Sequence, residues 1–328
     1  MADANWVVGI VGAGGIAQAH IPAWQAEGAQ VVLYSPYDGV ERIAEKVGAR
    51  AVHSYEELLE TVDGVDICSP TPTHRDYVLA AAAAGRHVLC EKPLALEPAD
   101  ALEMIEACEA AGVQLYPAHV VRFFPEYALM RQRVAAGDIG RPAILRFSRT
   151  GRFPGWSPWF GQDELSGGLV TDQMIHDLDI ARWVAGPVDR VYAVENSGGS
   201  VRMAMVTLTH GSGALSHVHG VWGLPETKFR TSFEVSGDKG ILRYDSAADQ
   251  TLRVELGGGS GGGEAWPSVV TTMTPYHLEI AAFYAAFRGG PVPRVSARDG
   301  LVAVELAAAA RESMRSGSAV DFVEGGAK

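Results

Sequence analysis

The stretch that decides the fold runs from residue 7 to residue 17 and reads VVGIVGAGGIA. Its apolar first half is typical of a buried strand, which leads into Gly12, Gly14 and Ala17 at the spacing G-x-G-x-x-A. Gly12 permits a tight turn, Gly14 lets the backbone approach a pyrophosphate, and the small Ala17 lets a helix pack closely on the strand. The stretch therefore predicts the start of a Rossmann domain that binds NAD or NADP.

Short apolar runs continue to alternate with alanine-rich stretches as far as Pro117. This alternation is typical of βαβ units, whose parallel strands are buried on both faces and joined by helices. We therefore predict an α/β fold with a Rossmann domain at residues 1–120. Strands are expected at Trp6 to Val11, Gln30 to Tyr34, Val65 to Cys68, His87 to Cys90 and Val113 to Tyr116, and helices at Thr73 to Ala84 and Pro98 to Ala111.

The pattern changes after Phe123, and residues 121–328 are predicted to form an α+β domain with an open, mainly antiparallel sheet. Turn residues separate its extended segments, and the six glycines of residues 257–263 predict a hairpin tip. Strands are expected at Ala143 to Thr150, Val188 to Glu195, Val201 to Thr209, Ala214 to Trp222, Lys228 to Val235 and Ile241 to Tyr244. Helices are expected to about Ala136 and at Leu169 to Val184, Tyr276 to Phe287 and Ala297 to Ser316.

The bulk composition favours two packed domains that bind a small molecule. The chain has 328 residues, 47% of them hydrophobic, and cores usually divide beyond roughly 250 to 300 residues. Its formal net charge of −12 argues against nucleic acid and anionic membranes as partners, because both require basic surfaces.

The cysteines favour a reducing compartment. Cys68, Cys90 and Cys108 are odd in number and lack C-x-x-C spacing, so neither a disulfide framework nor a zinc site is indicated. Residues 1–6 contain no basic stretch or apolar h-region, and no run of about 18 apolar residues follows. We expect a cytoplasmic protein with no membrane association and no metal.

The end of the second predicted strand leaves the choice between NAD and NADP open. An acidic residue there would bind the adenosine ribose, but the sequence places Ser35 at this point, with no arginine directly after it. Asp38 could serve if the loop is folded differently, or it could cap the helix that begins near Gly39.

Further motifs follow in a fixed order. They are SPTPTH at residues 69–74, CEKPL at 90–94, AHVVRFFPEY at 118–127, GGLVTDQMIHDLDIARW at 167–183, YHLEIAAF at 276–283 and SARDGLVAVELAAAA at 296–310. In this order and spacing the chain resembles the glucose-fructose oxidoreductase, inositol dehydrogenase and rhizopine catabolism (Gfo/Idh/MocA) family. The resemblance spans nearly the whole chain.

The resemblance implies an oxidoreductase that acts on CH–OH groups of sugars, cyclitols or related polyols. It also implies a homodimer or homotetramer formed through the open sheet of the second domain. Family roles carried onto matching positions put Lys92 and His176 at the reacting centre, facing the nicotinamide ring, with Asp172 on the substrate. Arg122 falls where the family often has a basic residue that faces the substrate.

The residues themselves could perform this chemistry. Oxidation of a secondary alcohol needs a hydride acceptor, a base for the hydroxyl proton and positive charge near the developing alkoxide. Asp172, His176 and Asp179 are spaced to share one face of a helix, and imidazole is the natural proton acceptor. Lys92 follows a strand end, where ligands of open α/β sheets bind, and the next residue, Pro93, makes a cis bond feasible. Whether His176 or Lys92 takes the proton stays open, as do purely structural roles for each.

Other candidate residues complete the predicted site. Cofactor contacts are expected from Gly12, Gly14, Gly15, Ile16, Ser35, Thr71, His74, Glu91 and Lys92, although Thr73 could use the same segment as a helix cap. Substrate contacts are expected from Arg122, Trp159, Asp172, His176 and Tyr276. His217 and His219 share a strand face, but nothing in the spacing around them indicates a metal.

Three functional hypotheses follow. The first is an NAD(P)-dependent dehydrogenase of polyols or sugars. The second is an enzyme that retains its nucleotide and uses transient oxidation to assist elimination or glycosidic cleavage. The third is a cofactor-sensing regulator that has the fold without the reaction, since a fold alone does not establish activity.

Overall fold

A computed structural model of the chain describes residues 6–198, 201–248, 252–256, 264–266 and 273–325. The glycine-rich stretch at 257–263, predicted as a hairpin tip, lies outside the described residues. The described part divides into two compact units. One contains Met1–Phe123 and Thr271–Leu301, and the other contains Phe124–Val270 and Val302–Lys328.

The first unit is built on a parallel sheet of six strands in the described chain, in the order β3-β2-β1-β4-β5-β6. Its strands are β1 Val7–Val11, β2 Gln30–Tyr34, β3 Arg50–Ala51, β4 Gly64–Ile67, β5 His87–Glu91 and β6 Leu115–Ala118. Its helices before β6 are α1 Ala17–Ala26, α2 Val40–Val47, α3 Tyr55–Thr61, α4 His74–Ala83 and α5 Pro98–Ala110. This is the predicted Rossmann domain, with a short edge strand β3 that the sequence analysis did not anticipate.

The central strands form because their apolar residues are buried on both faces of the sheet. All four residues of β4 are buried, and Val88, Leu89 and Cys90 of β5 are completely buried. Burial of each valine or leucine contributes about 1.5–3 kcal/mol. The sheet positions the site because the carboxyl ends of β1, β4 and β5 lie side by side at one edge.

The second unit contains a sheet of nine strands in the described chain, in the order β14-β13-β12-β11-β7-β10-β9-β8-β15. Neighbouring strands are antiparallel except β7 and β10, which are parallel, so the predicted mainly antiparallel sheet is confirmed. Its elements up to β14 are α6 Pro125–Ala135, β7 Pro142–Arg152, α7 Asp163–Ser166, α8 Ile175–Ala185, β8 Val188–Gly198, β9 Val201–His210, β10 Leu215–Gly223, β11 Arg230–Gly237, β12 Gly240–Asp245, β13 Leu252–Leu256 and β14 Glu264–Trp266.

The two faces of this sheet differ. Leu145, Val206, Val218 and Phe233 are buried on one face, where α8 contacts β7 and β10. Residues that alternate with them point to the opposite face and are partly exposed. Period-two alternation along each strand therefore gives one core face and one open face.

The last elements show where the predicted domain boundaries differ from the structure. They are α9 Pro275–Phe287, α10 Ala297–Ser316 and β15 Val320–Asp321. Helix α9 packs on α1, and Phe283 stacks on Tyr116 with a ring separation of 5.1 Å, so α9 belongs to the first unit. The predicted single domain at residues 121–328 does not include this return, because no local feature of the sequence indicates that the chain passes back to the first unit. None of the helices in the described part of the chain has the length and apolar character needed to cross a bilayer.

Candidate active site

The loop after β1 has the form that a dinucleotide requires. Gly12 has φ +102°, its N–H donates to the Tyr34 carbonyl at 2.8 Å, and a Cβ on it would lie 2.8 Å from the Cys68 carbonyl oxygen. Only glycine fits there, because the turn packs on the ends of β2 and β4. A Cβ on Gly14 or Gly15 would meet no atom of the described residues within 4 Å.

The surroundings of these two glycines fit a bound phosphate. Gly14 and Gly15 are exposed, Ala17 is buried, and Ile16 at the start of α1 makes no side-chain cap. Backbone N–H groups at such a helix start are available to an anion. The protein itself does not require glycine at 14 and 15, whereas a pyrophosphate that approaches the backbone would.

The end of β2 presents a hydroxyl group where an acidic residue would bind a ribose. Ser35 follows β2 directly, and its Oγ accepts a hydrogen bond from the Tyr37 N–H at 3.2 Å. Asp38 is exposed and does not cap α2. The N-cap residue of α2 is Gly39, and no side chain forms a capping hydrogen bond there. The capping alternative for Asp38 is therefore wrong.

The turn after β5 carries Lys92, which is half-buried. The Lys92–Pro93 peptide bond is cis, in agreement with the expectation from the sequence. The Glu91 carboxylate is buried and accepts a hydrogen bond from the Lys92 N–H at 2.9 Å. One Glu91 oxygen thus faces the Lys92 N–H and the other faces His20, and the cofactor contact expected from Glu91 stays a prediction.

His74 holds the same turn and is not open to a ligand. It is 1% exposed, with Nδ1 2.9 Å from the Pro93 carbonyl oxygen and Nε2 2.9 Å from that of Ser69. Burial lowers the pKa of His74, and a neutral imidazole can donate to only one of these carbonyls. The predicted cofactor contact is not supported, because the ring faces backbone on both sides.

Two neighbours of His74 form a tight turn. Thr71 is buried in the 3₁₀ turn Thr71–Thr73, and the Thr73 hydroxyl donates to the Pro70 carbonyl at 2.8 Å. Thr73 is the N-cap residue of α4, but its side chain forms no capping hydrogen bond with this helix. The alternative prediction that Thr73 caps the helix is therefore wrong.

Sequence reasoning missed a buried group of ionisable residues in the first unit. His20, Asp66 and Glu279 are completely buried, and Glu91 is nearly so. An ionisable residue within an apolar stretch, as in VDIC at residues 65–68, is the sequence feature that could have indicated this buried group. His20 Nδ1, an Asp66 oxygen and Cys68 Sγ lie within 4.8 Å of one another, a donor set that could hold a metal, but these atoms already hydrogen-bond to one another.

Arg122 was predicted to face the substrate, and the structure corrects this. Its side chain is 1% exposed, lies 3.3 Å from the Asp299 carboxylate and donates to the Arg294 carbonyl at 2.7 Å. Arg122 therefore joins segments of the first unit. Tyr276 is half-buried at the start of α9, with its ring 5.8 Å from the ring of His20.

The second unit contains the helix that carries the candidate acid–base residues, here called the site helix (Val170–Ala185). It begins after Gly167 and Gly168, both at φ +69°, with the π-helical turn Val170–Met174, and continues as α8. Short π-helical segments inside helices are frequent at functional sites. Asp172 lies in this turn and His176 in the first turn of α8.

Two side chains fix the site helix on the sheet. The Gln173 amide donates to the Arg149 carbonyl at 2.9 Å and to the Val221 carbonyl at 3.3 Å. Asp177 is completely buried and forms a two-point ion pair with Arg149. With residues 173 and 177 directed at the sheet, the half-buried Asp172 and His176 lie on the adjacent side of the helix. Asp179, predicted to share one face of the helix with Asp172 and His176, is 2% exposed.

Aromatic residues cluster in the loop before the site helix. The Trp159 ring stacks on Phe160 at 4.1 Å, and Trp156 is exposed, with the Arg152 guanidinium 5.5 Å from its ring. Trp159 is half-buried in the 3₁₀ turn Pro158–Gly161. The loop therefore offers flat apolar faces beside polar groups.

The open face of the large sheet exposes apolar side chains. Tyr192, Val194, Met203 and Met205 are each between 38% and 47% exposed on β8 and β9. A cavity of about 740 Å³ on this face is lined by residues that include Arg146, Met205, His217, His219, Glu234 and Arg243. His217 and His219 contact the hydroxyls of Thr207 and Ser148.

The class of the protein follows from the first unit. Its strand order reverses direction at β1 and β4, and in such sheets nucleotides bind at the carboxyl ends of the strands at this point. The glycine loop lies there. The fold and loop together define a dinucleotide-binding protein, and the second unit adds a helix with acid–base side chains.

Comparison with known proteins identifies the family to which the chain belongs. The model of the "Oxidoreductase family, NAD-binding Rossmann fold" matches residues 7–119, and that of the "GFO/IDH/MocA C-terminal domain" matches residues 127–243. A myo-inositol 2-dehydrogenase of Thermotoga maritima is 32% identical over 342 residues, covering 97% of this chain and 98% of that protein. D-xylose 1-dehydrogenase (NADP(+)) 2 of Haloferax volcanii is 32% identical over 331 residues, covering 96% and 99%.

A solved structure agrees with this placement. The crystal structure of an NAD binding oxidoreductase from Klebsiella pneumoniae has a TM-score of 0.88 and 25% identity, covering 98% of this chain and 100% of that chain. The chain belongs to the Gfo/Idh/MocA oxidoreductase family. The resemblance inferred from the motifs is confirmed, as is the assignment to oxidoreductases that use a nicotinamide cofactor.

Proposed function

We propose that this protein transfers a hydride between NAD or NADP and a secondary alcohol or ketone of a sugar, a cyclitol or a related polyol. Relatives that match at least 96% of the chain support this substrate class, since they are named for myo-inositol and D-xylose. The observation that carries the proposal is the site helix, where Gln173 and Asp177 bind the sheet and the half-buried Asp172 and His176 lie on the adjacent side of the helix.

The cofactor is assigned to the carboxyl edge of the first sheet. Backbone groups of Gly12, Gly14, Gly15 and Ile16 would hold its pyrophosphate, and Ser35 would meet the adenosine ribose. Thr71 and Lys92 follow β4 and β5 at the same edge. When bound, the nicotinamide group supplies the acceptor or donor of the hydride.

The proton of the substrate hydroxyl must pass to a side chain as the carbon is oxidised. His176 can accept it, because imidazole gains and loses protons near neutral pH. Lys92 can act as the acceptor or can stabilise the developing alkoxide by its charge. Asp172 would accept a hydrogen bond from a second hydroxyl of the polyol, and the Trp159 ring would contact an apolar sugar face.

An absorbance screen tests this function. Reduced nicotinamide is followed with NAD and NADP against a panel of cyclitols, aldoses and keto-sugars, and turnover with a polyol is expected. Lys92→Ala and His176→Asn should each lower kcat by about 10²–10⁴-fold, whereas His53→Gln, at an exposed position, should not.

Other outcomes would reject the proposal. Product formation without a net absorbance change would favour transient oxidation with a retained nucleotide. Nucleotide binding without turnover across the panel would favour a regulator. Unchanged turnover in both Lys92→Ala and His176→Asn would remove the roles given to these residues.

We also propose that the second unit binds substrate and mediates a homodimer or homotetramer. The exposed apolar side chains on the open sheet face, Tyr192, Val194, Met203 and Met205, support a second copy of the chain as the occupant. A cytoplasmic location is proposed from Cys68, Cys90 and Cys108, which are free and buried.

A further inference from the structure

His20 lies in the first turn of α1 and has no role in the proposed chemistry. Its side chain is completely buried. Nδ1 lies 2.9 Å from Asp66 Oδ2, and Nε2 lies 3.3 Å from Glu91 Oε1. The second contact is a close charge contact rather than a well-directed hydrogen bond. Each nitrogen of one imidazole ring thus faces a different carboxylate.

The two carboxylates that face His20 accept hydrogen bonds from different parts of the protein. Asp66 accepts hydrogen bonds from Trp24 Nε1 at 2.7 Å and from the Cys68 thiol at 3.4 Å. These donors fix Asp66 in the sheet. The other oxygen of Glu91 accepts a hydrogen bond from the Lys92 N–H at 2.9 Å. The chain of contacts therefore runs from Asp66 through His20 and Glu91 to the backbone of Lys92.

We propose that His20 is a positioning residue that, bridged between Asp66 and Glu91, holds the Lys92 turn in its working position. This inference rests on the proposed function, because it assumes that Lys92 acts in the reaction. It assigns no contact between His20 and the substrate or the cofactor. His74 holds the far side of the same turn through the Pro93 carbonyl.

The charges around His20 favour its protonated form. An imidazolium can donate from both nitrogens, whereas a neutral ring would turn a lone pair toward one of the carboxylates. Burial lowers the pKa of His20, but its charge interactions and hydrogen bonds with Asp66 and Cys68 together outweigh this effect, so the pKa is raised well above its ordinary value.

Other groups face His20 from the elements packed against it. Burial raises the pKa of the Cys68 thiol on the β4 side, so this group stays neutral. From α9, burial raises the pKa of Glu279 well above its ordinary value, and the Tyr276 ring lies 5.8 Å from the His20 ring. The groups closest to the two ring nitrogens are the Asp66 and Glu91 carboxyl groups, at 2.9 Å and 3.3 Å.

Two matched variants separate positioning from general structural support. In His20→Gln the amide nitrogen can replace Nε2 and donate to Glu91, whereas in His20→Asn it can replace only Nδ1 and donate to Asp66. We expect His20→Asn to lower kcat by about 10–100-fold with the nucleotide KM changed less than about threefold, since a displaced catalytic group mainly slows the chemical step. His20→Gln should retain at least about ten times the kcat of His20→Asn. Equal kcat values in the two variants, at matched melting temperatures, would overturn the proposal.

An NMR titration tests the inference without any activity. The ring signals of His20, identified by their loss in His20→Gln, should titrate in the wild type with a midpoint well above the ordinary histidine pKa of about 6.5. Asp66→Asn should lower the titration midpoint by at least about one pH unit. A neutral His20 at neutral pH would overturn the proposal, as would one equivalent of zinc that is lost in Cys68→Ser, since Nδ1 would then bind metal.

The two proposals can fail separately. If the wild type turns over no polyol, the proposed function fails while the titration still reports on the bridge. If Lys92→Ala abolishes turnover and both His20 variants match the wild type, the function stands and the positioning role of His20 is lost.

Discussion

Arg149 and Asp177 form a two-point ion pair that joins β7 to the site helix. Arg149 Nε lies 2.8 Å from Asp177 Oδ2, and Nη2 lies 2.9 Å from Oδ1. Both side chains are buried, at 5% and 0% exposure. Breaking such a pair from one side leaves an uncompensated buried charge, and an arginine cannot lose its proton to relieve it.

Asp177→Asn should therefore lower the free energy of unfolding by about 3–5 kcal/mol. Urea denaturation of the wild type and the variant measures this loss. The paired change Arg149→Met with Asp177→Leu removes both charges and should recover most of it, because two apolar side chains leave no buried charge unpaired. A single variant as stable as the wild type would contradict the assigned role of the pair.

Gly12 and Gly14 differ in what the protein requires of them. Gly12→Ala should destabilise the protein by about 1–3 kcal/mol without any ligand, because φ is +102° and the new Cβ would meet the Cys68 carbonyl. Gly14→Ala has open space and should change stability by less than about 0.5 kcal/mol while weakening nucleotide binding at least about tenfold.

Thermal unfolding with and without NAD and NADP measures both effects. Nucleotide normally stabilises the folded state by mass action, so a lost shift in Gly14→Ala reports on binding alone. An unchanged nucleotide shift in Gly14→Ala would argue against a pyrophosphate at this loop.

Much of the fold could be predicted from the sequence because its strands are buried and its motifs are local. The predicted strand from Gln30 to Tyr34 coincides with β2, and the last helix from Ala297 to Ser316 coincides with α10. Strand β3 was not predicted from the sequence, because a two-residue edge strand has no detectable periodicity. The packing of α9 in the first unit was not predicted either, because contacts between residues far apart in the sequence leave no local signal.

The candidate site was only partly predictable for a related reason. A motif position says which residue is present and not where its side chain points. His74 and Arg122 are turned into the protein, against carbonyls and Asp299. The partners His20 and Asp66 lie 46 positions apart, so their pairing could not be inferred from spacing. Asp172 and His176 lie on one helix, as their spacing predicted, and their roles in the reaction stay a prediction.

Ser35 is expected to set the preference between NAD and NADP. Ser35→Asp adds a carboxylate that can bind the ribose hydroxyls of NAD and repels the 2′-phosphate of NADP. The ratio of kcat/KM for NAD to that for NADP should rise at least about tenfold, or about 1.4 kcal/mol. Ser35→Ala removes only the hydroxyl and controls for loss of the serine. An unchanged ratio in Ser35→Asp would place the ribose elsewhere.

Glu279 should make stability depend on pH in an unusual direction. Burial raises the pKa of its carboxyl group well above the ordinary value, so the folded state keeps a proton that the unfolded chain loses above about pH 4.3. The folded state then binds more protons, and its stability falls as the pH rises from the unfolded pKa toward the folded pKa.

Glu279→Gln removes this titration. Its free energy of unfolding relative to the wild type should rise by up to about 1.4 kcal/mol per pH unit as the pH increases above the unfolded pKa of about 4.3. Chemical denaturation at several pH values measures the difference, and Glu60→Gln, at an exposed position on α3, controls for loss of one carboxyl group. A difference independent of pH would mean that Glu279 ionises in the folded protein.

The open face of the second sheet should hold the oligomer together. Met205 lies on this face in β9, is 38% exposed, and lines the cavity together with Arg146 and His217. A lysine there would be desolvated by a second copy of the chain, at a cost of several kcal/mol. Met205→Lys should therefore sediment as a monomer at concentrations where the wild type is a dimer or tetramer. Val292→Lys, on an 86% exposed side chain of the first unit, should sediment like the wild type. A monomeric wild type, or an assembly that survives Met205→Lys, would mean that this face has a different occupant.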